Sequence, residues 1–139
     1  MISVARPRLQ LAFLFAVLLS ACSTDTPNPS PSPSPAGTVV TFQVGEEQYR
    51  ILLTDPADIE IARQLLAGEE APRIPNGVIV RGSDGGVNTG YSWYIDPESV
   101  EFAEATMEVC DGLPSYVEDR TLTGDRFCPW AAEVIAIDE

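Results

Sequence analysis

The hydrophobic positions fall first into one unbroken block, Leu9–Ala21 (LQLAFLFAVLLSA), and then into short runs parted by polar turns. The block follows Arg6 and Arg8 and has the form of a secretory leader, with a positive start and about 7–15 apolar residues. A membrane-crossing helix needs about 20. Behind the block, residues 23–37 (STDTPNPSPSPSPAG) hold no bulky apolar side chain and five prolines. Such a stretch has too little surface to bury and is expected to remain an extended, solvated linker. At about 3.1 Å per residue, a polyproline II tether of this length reaches roughly 45 Å.

From Thr38 the runs become those of a folded domain. Thr38–Val44 (TVVTFQV) and Gln48–Thr54 (QYRILLT) are rich in β-branched and aromatic residues and flank Gly45-Glu46-Glu47, which predicts a hairpin. In DPADIEIARQLLAG, residues 55–68, Ile59, Ala62 and Leu66 share one face of a 3.6-residue period, with Leu65 beside it. Asp55 is placed to cap that helix, Pro56 fits its first position, Asp58 suits its positive end and Gly68 stops it. Residues 69–77 (EEAPRIPNG) read as a loop, Val78–Arg81 as a short strand and 82–90 (GSDGGVNTG) as a glycine-rich turn. Residues 91–96 (YSWYID) read as a strand with Tyr91, Trp93 and Ile95 on one face. A turn at 97–99 and a strand running to about Cys110 come next. A helix over LPSYVEDR, residues 113–120, and a closing strand over Trp130–Ile137 complete the chain. Helices interspersed with hairpins give an α+β class, expected as one small domain with an antiparallel-type sheet of about five to six strands and one to two helices.

The expected organisation is a leader over 1–21, a lipidated cysteine with its linker over 22–37 and a domain over 38–139. Leu19-Ser20-Ala21-Cys22 resembles a bacterial lipobox, in which the leader is cut before a cysteine that carries a diacylglycerol thioether. Ordinary cleavage after Ala21 would want a small residue at position 19, where leucine stands. Each buried methylene contributes about 0.8 kcal/mol, so two or more acyl chains anchor stably. The expected location is the cell membrane, lipid-anchored on its extracytoplasmic side.

Composition narrows the chemistry. The chain has 8 Lys+Arg against 21 Asp+Glu and no histidine. Once Arg6 and Arg8 leave with the leader, six arginines face 21 acids, a net charge of −15. Such a surface repels phosphate backbones, which excludes nucleic acid, and it disfavours anionic headgroups. It suits solubility, divalent cations or basic partners. With Cys22 lipidated, Cys110 and Cys128 remain as an even pair in an oxidising compartment, where a disulfide is the expected state, worth about 3 kcal/mol. A catalytic thiol, a zinc hydrolase and a serine nucleophile each lack the histidine they ordinarily use.

Several stretches together carry a resemblance: LTDP at 53–56, LLAGEE at 65–70, VIVRG at 78–82, WYIDP at 93–97, SVEFAE at 99–104, EVCDGLPSYVE at 108–118 and CPW at 128–130. Residues 38–139 resemble the N-terminal domain family named after an amoebal calcium-binding protein, which also occurs in bacterial secreted and lipoprotein forms. The resemblance implies calcium as a ligand and assigns it no residues. Calcium takes 6–8 oxygens. The densest supply is Asp96, Glu98, Glu101, Glu104, Glu108 and Asp111, with Glu118 and Asp119 nearby, and Asp84 with Asn88 forms a second candidate. None has EF-hand spacing, and a solvated acidic face explains the same residues. The expected role is a non-catalytic binding domain displayed at the membrane. A module for an extracellular protein or glycan, using Tyr91, Trp93, Tyr94 or Trp130, and a protease inhibitor are the alternatives without metal. A carboxylate-dependent hydrolase is the enzymatic one.

Overall fold

The computed structural model describes residues 36–139. The leader, Cys22 and nearly all of the linker lie outside the described residues. Among the described residues, no helix is long and apolar enough to cross a membrane.

Strands β1 (Thr38–Val44) and β2 (Glu47–Leu53) form the expected hairpin, turning at Gly45 with φ of +61°. The last strand, β7 (Glu133–Asp138), returns to pair antiparallel with β1, giving the order β2-β1-β7. Between Thr41↔Ala136 and Phe42↔Val134, β1 advances one residue and β7 two, so Ile135 is a bulge residue. Helix α1 (Pro56–Leu66) starts where the sequence places it. Asp55 Oδ1 accepts the Ala57 N–H at 2.7 Å, Pro56 opens the first turn, and Ala62 is buried against the core.

A second antiparallel sheet is built around β3 (Ile74–Arg81), so the chain holds two sheets rather than the single one expected. Strand β3 begins at Ile74, inside the segment expected to be loop. Pro75 is tolerated there. Backbone groups of Gly77 and Ile79 face β6 (Arg126–Phe127), and by alternation Pro75 points its missing donor the same way, beyond the end of that two-residue strand. On the other side of β3 run β4 (Trp93–Ile95) and β5 (Glu101–Ala103). From Ile79↔Ile95 to Asn76↔Glu101, β3 takes three steps and its partner six. The three extra residues are a 3₁₀ turn, Pro97–Ser99, pushed out of the ladder. Gly77 lies under this turn, where a Cβ would stand 2.3 Å from Ile95 Cγ2.

The strand expected to run to Cys110 ends at Ala103, because β3 starts at Ile74, the partner of Ala103, and offers nothing further to pair with. The chain then turns through Glu108–Cys110, a second 3₁₀ element, to reach the Cys110–Cys128 disulfide, which closes with Cα atoms 5.1 Å apart. Helix α2 (Pro114–Glu118) follows. Strand β7 begins at Glu133 rather than Trp130, because the Trp130 N–H is spent on Asp111 Oδ1 at 2.8 Å.

Both sheets contribute to one core. Phe42 stacks on Tyr49 with centroids 5.4 Å apart, and Phe127 meets Tyr49 and Trp93 edge-on at 5.2 and 5.5 Å. Tyr91, expected in the strand, precedes it yet still packs on Trp93 at 5.3 Å. Asn88, from the glycine-rich turn, ties the two sheets at their edges. Its Oδ1 accepts the Arg50 N–H of β2 and its Nδ2 donates to the Trp93 carbonyl of β4, each at 2.9 Å.

Candidate functional site

The fold disperses the six acids singled out in the sequence. Asp96 Oδ1 caps the Pro97–Ser99 turn by accepting the Glu98 N–H at 3.1 Å. Glu98 lies in that turn. Glu101, on β5, accepts from Asn76 Nδ2 at 2.8 Å and from Arg126 Nη2 at 3.2 Å. Glu104 faces an open polar groove between the end of α1 and β7, shared with Glu69, Glu70, Arg73 and Glu133. Glu108 is exposed on the second 3₁₀ turn, and Asp111 holds the Trp130 N–H. Among the described residues, no three His, Cys, Asp or Glu side chains are grouped so as to hold a metal ion.

Other carboxylates act as structural acceptors. Glu47, in the hairpin, takes both the N–H and the Oγ–H of Ser115 at 2.8 and 2.7 Å, fixing the start of α2. Glu118, at the end of α2, takes the same two groups of Ser92 at 2.9 and 2.8 Å. Tyr91 titrates above its ordinary range, first because it is partly buried and then because Glu47 and Glu118 are close. Asp119 is held below the usual carboxylate range by its hydrogen bonds to Thr121. Asp58 is raised, chiefly by burial, with Asp55 and Glu101 adding to it. In the glycine-rich turn, Asp84 Oδ1 accepts the Gly86 N–H, and Asn88 has its amide committed to the sheet edges. That second calcium candidate is therefore a folding device in this structure.

The aromatic set separates likewise. Trp93 is buried in the core, and Gly85 lies so close to the Tyr94 ring that a Cβ there would be 2.6 Å from Cγ. Trp130 alone of the four is exposed, and its indole Nε1 donates to Thr106 Oγ1 at 2.7 Å.

What the structure does bring together lies on the outer face of the second sheet. Asn76 on β3, Glu101 on β5 and Arg126 on β6 form a hydrogen-bonded row across three strands, with Arg126 Nε donating to Asn76 Oδ1 at 3.0 Å. They floor a recess of about 330 Å³ whose wall is Ala103, Ala105, Met107, Val109 and Cys110. Met107 and Val109 stand out of that wall with 70% and 77% of their surface in solvent, and Trp130, at 43%, flanks the same segment through Thr106. The segment is fixed at its ends by the disulfide, by the Cys128 N–H on the Cys110 carbonyl at 2.8 Å and by the two Trp130 bonds. Sequence reasoning missed this surface. The alternation in MEVC, residues 107–110, reads as strand, and in a strand Met107 and Val109 would share a face and be assigned to a core.

The model of one protein family, the N-terminal domain of a calcium-binding protein, matches residues 35–139. No curated protein and no solved structure matches the chain.

Proposed function

Because the chain belongs to the calcium-binding-protein N-terminal domain family, with the match covering its whole folded part, we propose that it is a lipid-anchored protein presenting a small, non-catalytic binding domain outside the cytoplasmic membrane. The anchor is Cys22, acylated after the leader is removed, and the proline-rich linker holds the domain away from the bilayer. A disulfide in a domain of this size supports an oxidising compartment.

The observation that carries the binding role is a contrast in apolar exposure. The domain buries Trp93, Tyr49, Phe42 and Phe127 almost completely yet leaves Met107, Val109 and Trp130 in solvent on one stapled segment. Apolar side chains exposed together in this way mark contact surfaces. A hydrolase would need two carboxyls in an enclosed cleft with their titrations pushed apart. The acids here that meet ordered groups hold serines, backbone amides and arginines instead.

The test is intact mass spectrometry of the protein purified from cells that make it, followed by chemical crosslinking on those cells. We expect a diacylglyceryl-modified Cys22 at the mature amino terminus and one recurring crosslinked protein. A bare Cys22 thiol overturns the anchoring, and a domain that crosslinks to nothing overturns the binding role.

A further inference from the structure

The geometry points to the Met107–Val109 ridge as a docking surface for a folded extracytoplasmic protein that carries an apolar recess rimmed by lysines or arginines. The inference rests on the binding role proposed above and names the partner's chemistry.

The ridge offers two large apolar side chains to one side of a recess of about 330 Å³, so a partner can both cover the ridge and place a side chain beside it. Charge decides what kind of partner fits. Exposed carboxylates surround the apolar tip: Glu108 between Met107 and Val109, Asp111 beside Trp130, and Asp125 and Glu101 at the recess. Among the described residues that line the recess, the cation is Arg126, which is paired with Glu101 and so does not offset the remaining acids. An apolar centre with a rim of a single sign selects a complementary rim and repels surfaces of its own sign. Anionic lipid headgroups are disfavoured for that reason, although the chain is expected at a membrane. A second copy of the chain is disfavoured too, since it would bring an identical acidic rim.

The experiment uses the full chain in cells that make it. The photocrosslinker p-benzoylphenylalanine replaces, singly, Met107, Val109, Tyr116 or Ile135, which are all exposed apolar positions. Tyr116 and Ile135 lie on α2 and on the β7 bulge, so they report other faces. We expect protein adducts from positions 107 and 109 and none from 116 and 135. Mass spectrometry should place the adduct on a partner segment with Lys or Arg flanking apolar residues. Its yield should fall at least about fivefold in high salt, and likewise in the charge reversals Glu108→Lys and Asp125→Lys, which alter exposed side chains only.

Adducts from 107 and 109 that map to phospholipid, to a second copy or to an acidic segment overturn the inference. So do yields indifferent to salt and to both reversals. Adducts from 116 or 135 alone overturn this surface and leave the binding role standing. No adduct from any of the four positions overturns both.

Discussion

The hydroxyl of Ser99 accepts the Val78 amide hydrogen at 2.8 Å, in the place where a continuous partner strand would have presented a carbonyl. The same hydroxyl donates to the Asp96 carbonyl at 2.7 Å, so one side chain closes the gap that the Pro97–Ser99 turn opens beside β3. Removing it leaves a half-buried donor without a partner, which costs about 1–3 kcal/mol. Ser99→Ala is therefore expected to lower the urea midpoint by that free energy, and Ser99→Thr, which keeps a hydroxyl, by much less. Equal losses from the two variants would show that the hydroxyl does not bridge the ladder.

Asn88 supplies a sharper test, because its two amide atoms have opposite duties. In Asn88→Asp the carboxylate can still accept from Arg50 but cannot donate to the Trp93 carbonyl, and it buries a charge. At neutral pH this near-isosteric change is expected to destabilise the domain at least as much as Asn88→Ala, by about 2 kcal/mol or more. Chemical denaturation of both variants decides the matter, and a neutral Asn88→Asp would refute the bridge.

Tyr49 carries a liability. Its hydroxyl is fully buried and without a hydrogen-bond partner, as is the indole N–H of Trp93, whose ring centroid lies 6.0 Å from that of Tyr49. Burial pushes the phenol well above its ordinary value of 10.0, because the phenolate would be stranded in the core. For a raised pKa the sign is fixed. The contribution is full below the unfolded value and is lost as pH rises through the folded one. Unfolding followed by near-ultraviolet circular dichroism is thus expected at alkaline pH, beyond 10, and Tyr49→Phe should move its midpoint upward. At pH 7 the same variant should be more stable by about 1 kcal/mol, since it removes an unpaired polar atom. A less stable Tyr49→Phe would mean that the hydroxyl has a partner after all.

Calcium tests the acidic surface. The six acids of the sequence stand at separate places, with Asp96, Glu101 and Asp111 already bonded to the chain. Millimolar Ca²⁺ is accordingly expected to leave the thermal midpoint nearly where it is in a chelator. A rise of several degrees, matched by heat in a calorimetric titration, would show that the carboxylates regroup around the ion.

Where local rules govern, the sequence was legible. The hairpin follows from two β-rich runs about a glycine, and α1 follows from Asp55, Pro56 and a 3.6-residue face. The disulfide follows from two cysteines left over after Cys22 is assigned to the lipid. Long-range pairing was not legible. Pro75 argues for a loop until β6 is known to end before it, and nothing in MEVC says that β3 has already run out of partners. The acids misled for a related reason. Closeness along the chain suggested a ligand set, but a 3₁₀ turn, a three-residue strand and a second 3₁₀ turn aim them in different directions. The exposed ridge was hidden by the same mistaken strand.

The Cys110–Cys128 crosslink has a kinetic corollary. A loop already fastened at both ends has little freedom left to surrender when something settles on it. The ordering cost of about 0.5–1.5 kcal/mol per immobilised side chain then falls mainly on Met107 and Val109. Encounters at such a tip proceed as between rigid bodies, with no folding step to wait for, so their frequency is governed by diffusion and by the field of the surrounding carboxylates. Reducing the bridge would slow capture even where the rest of the domain stays folded.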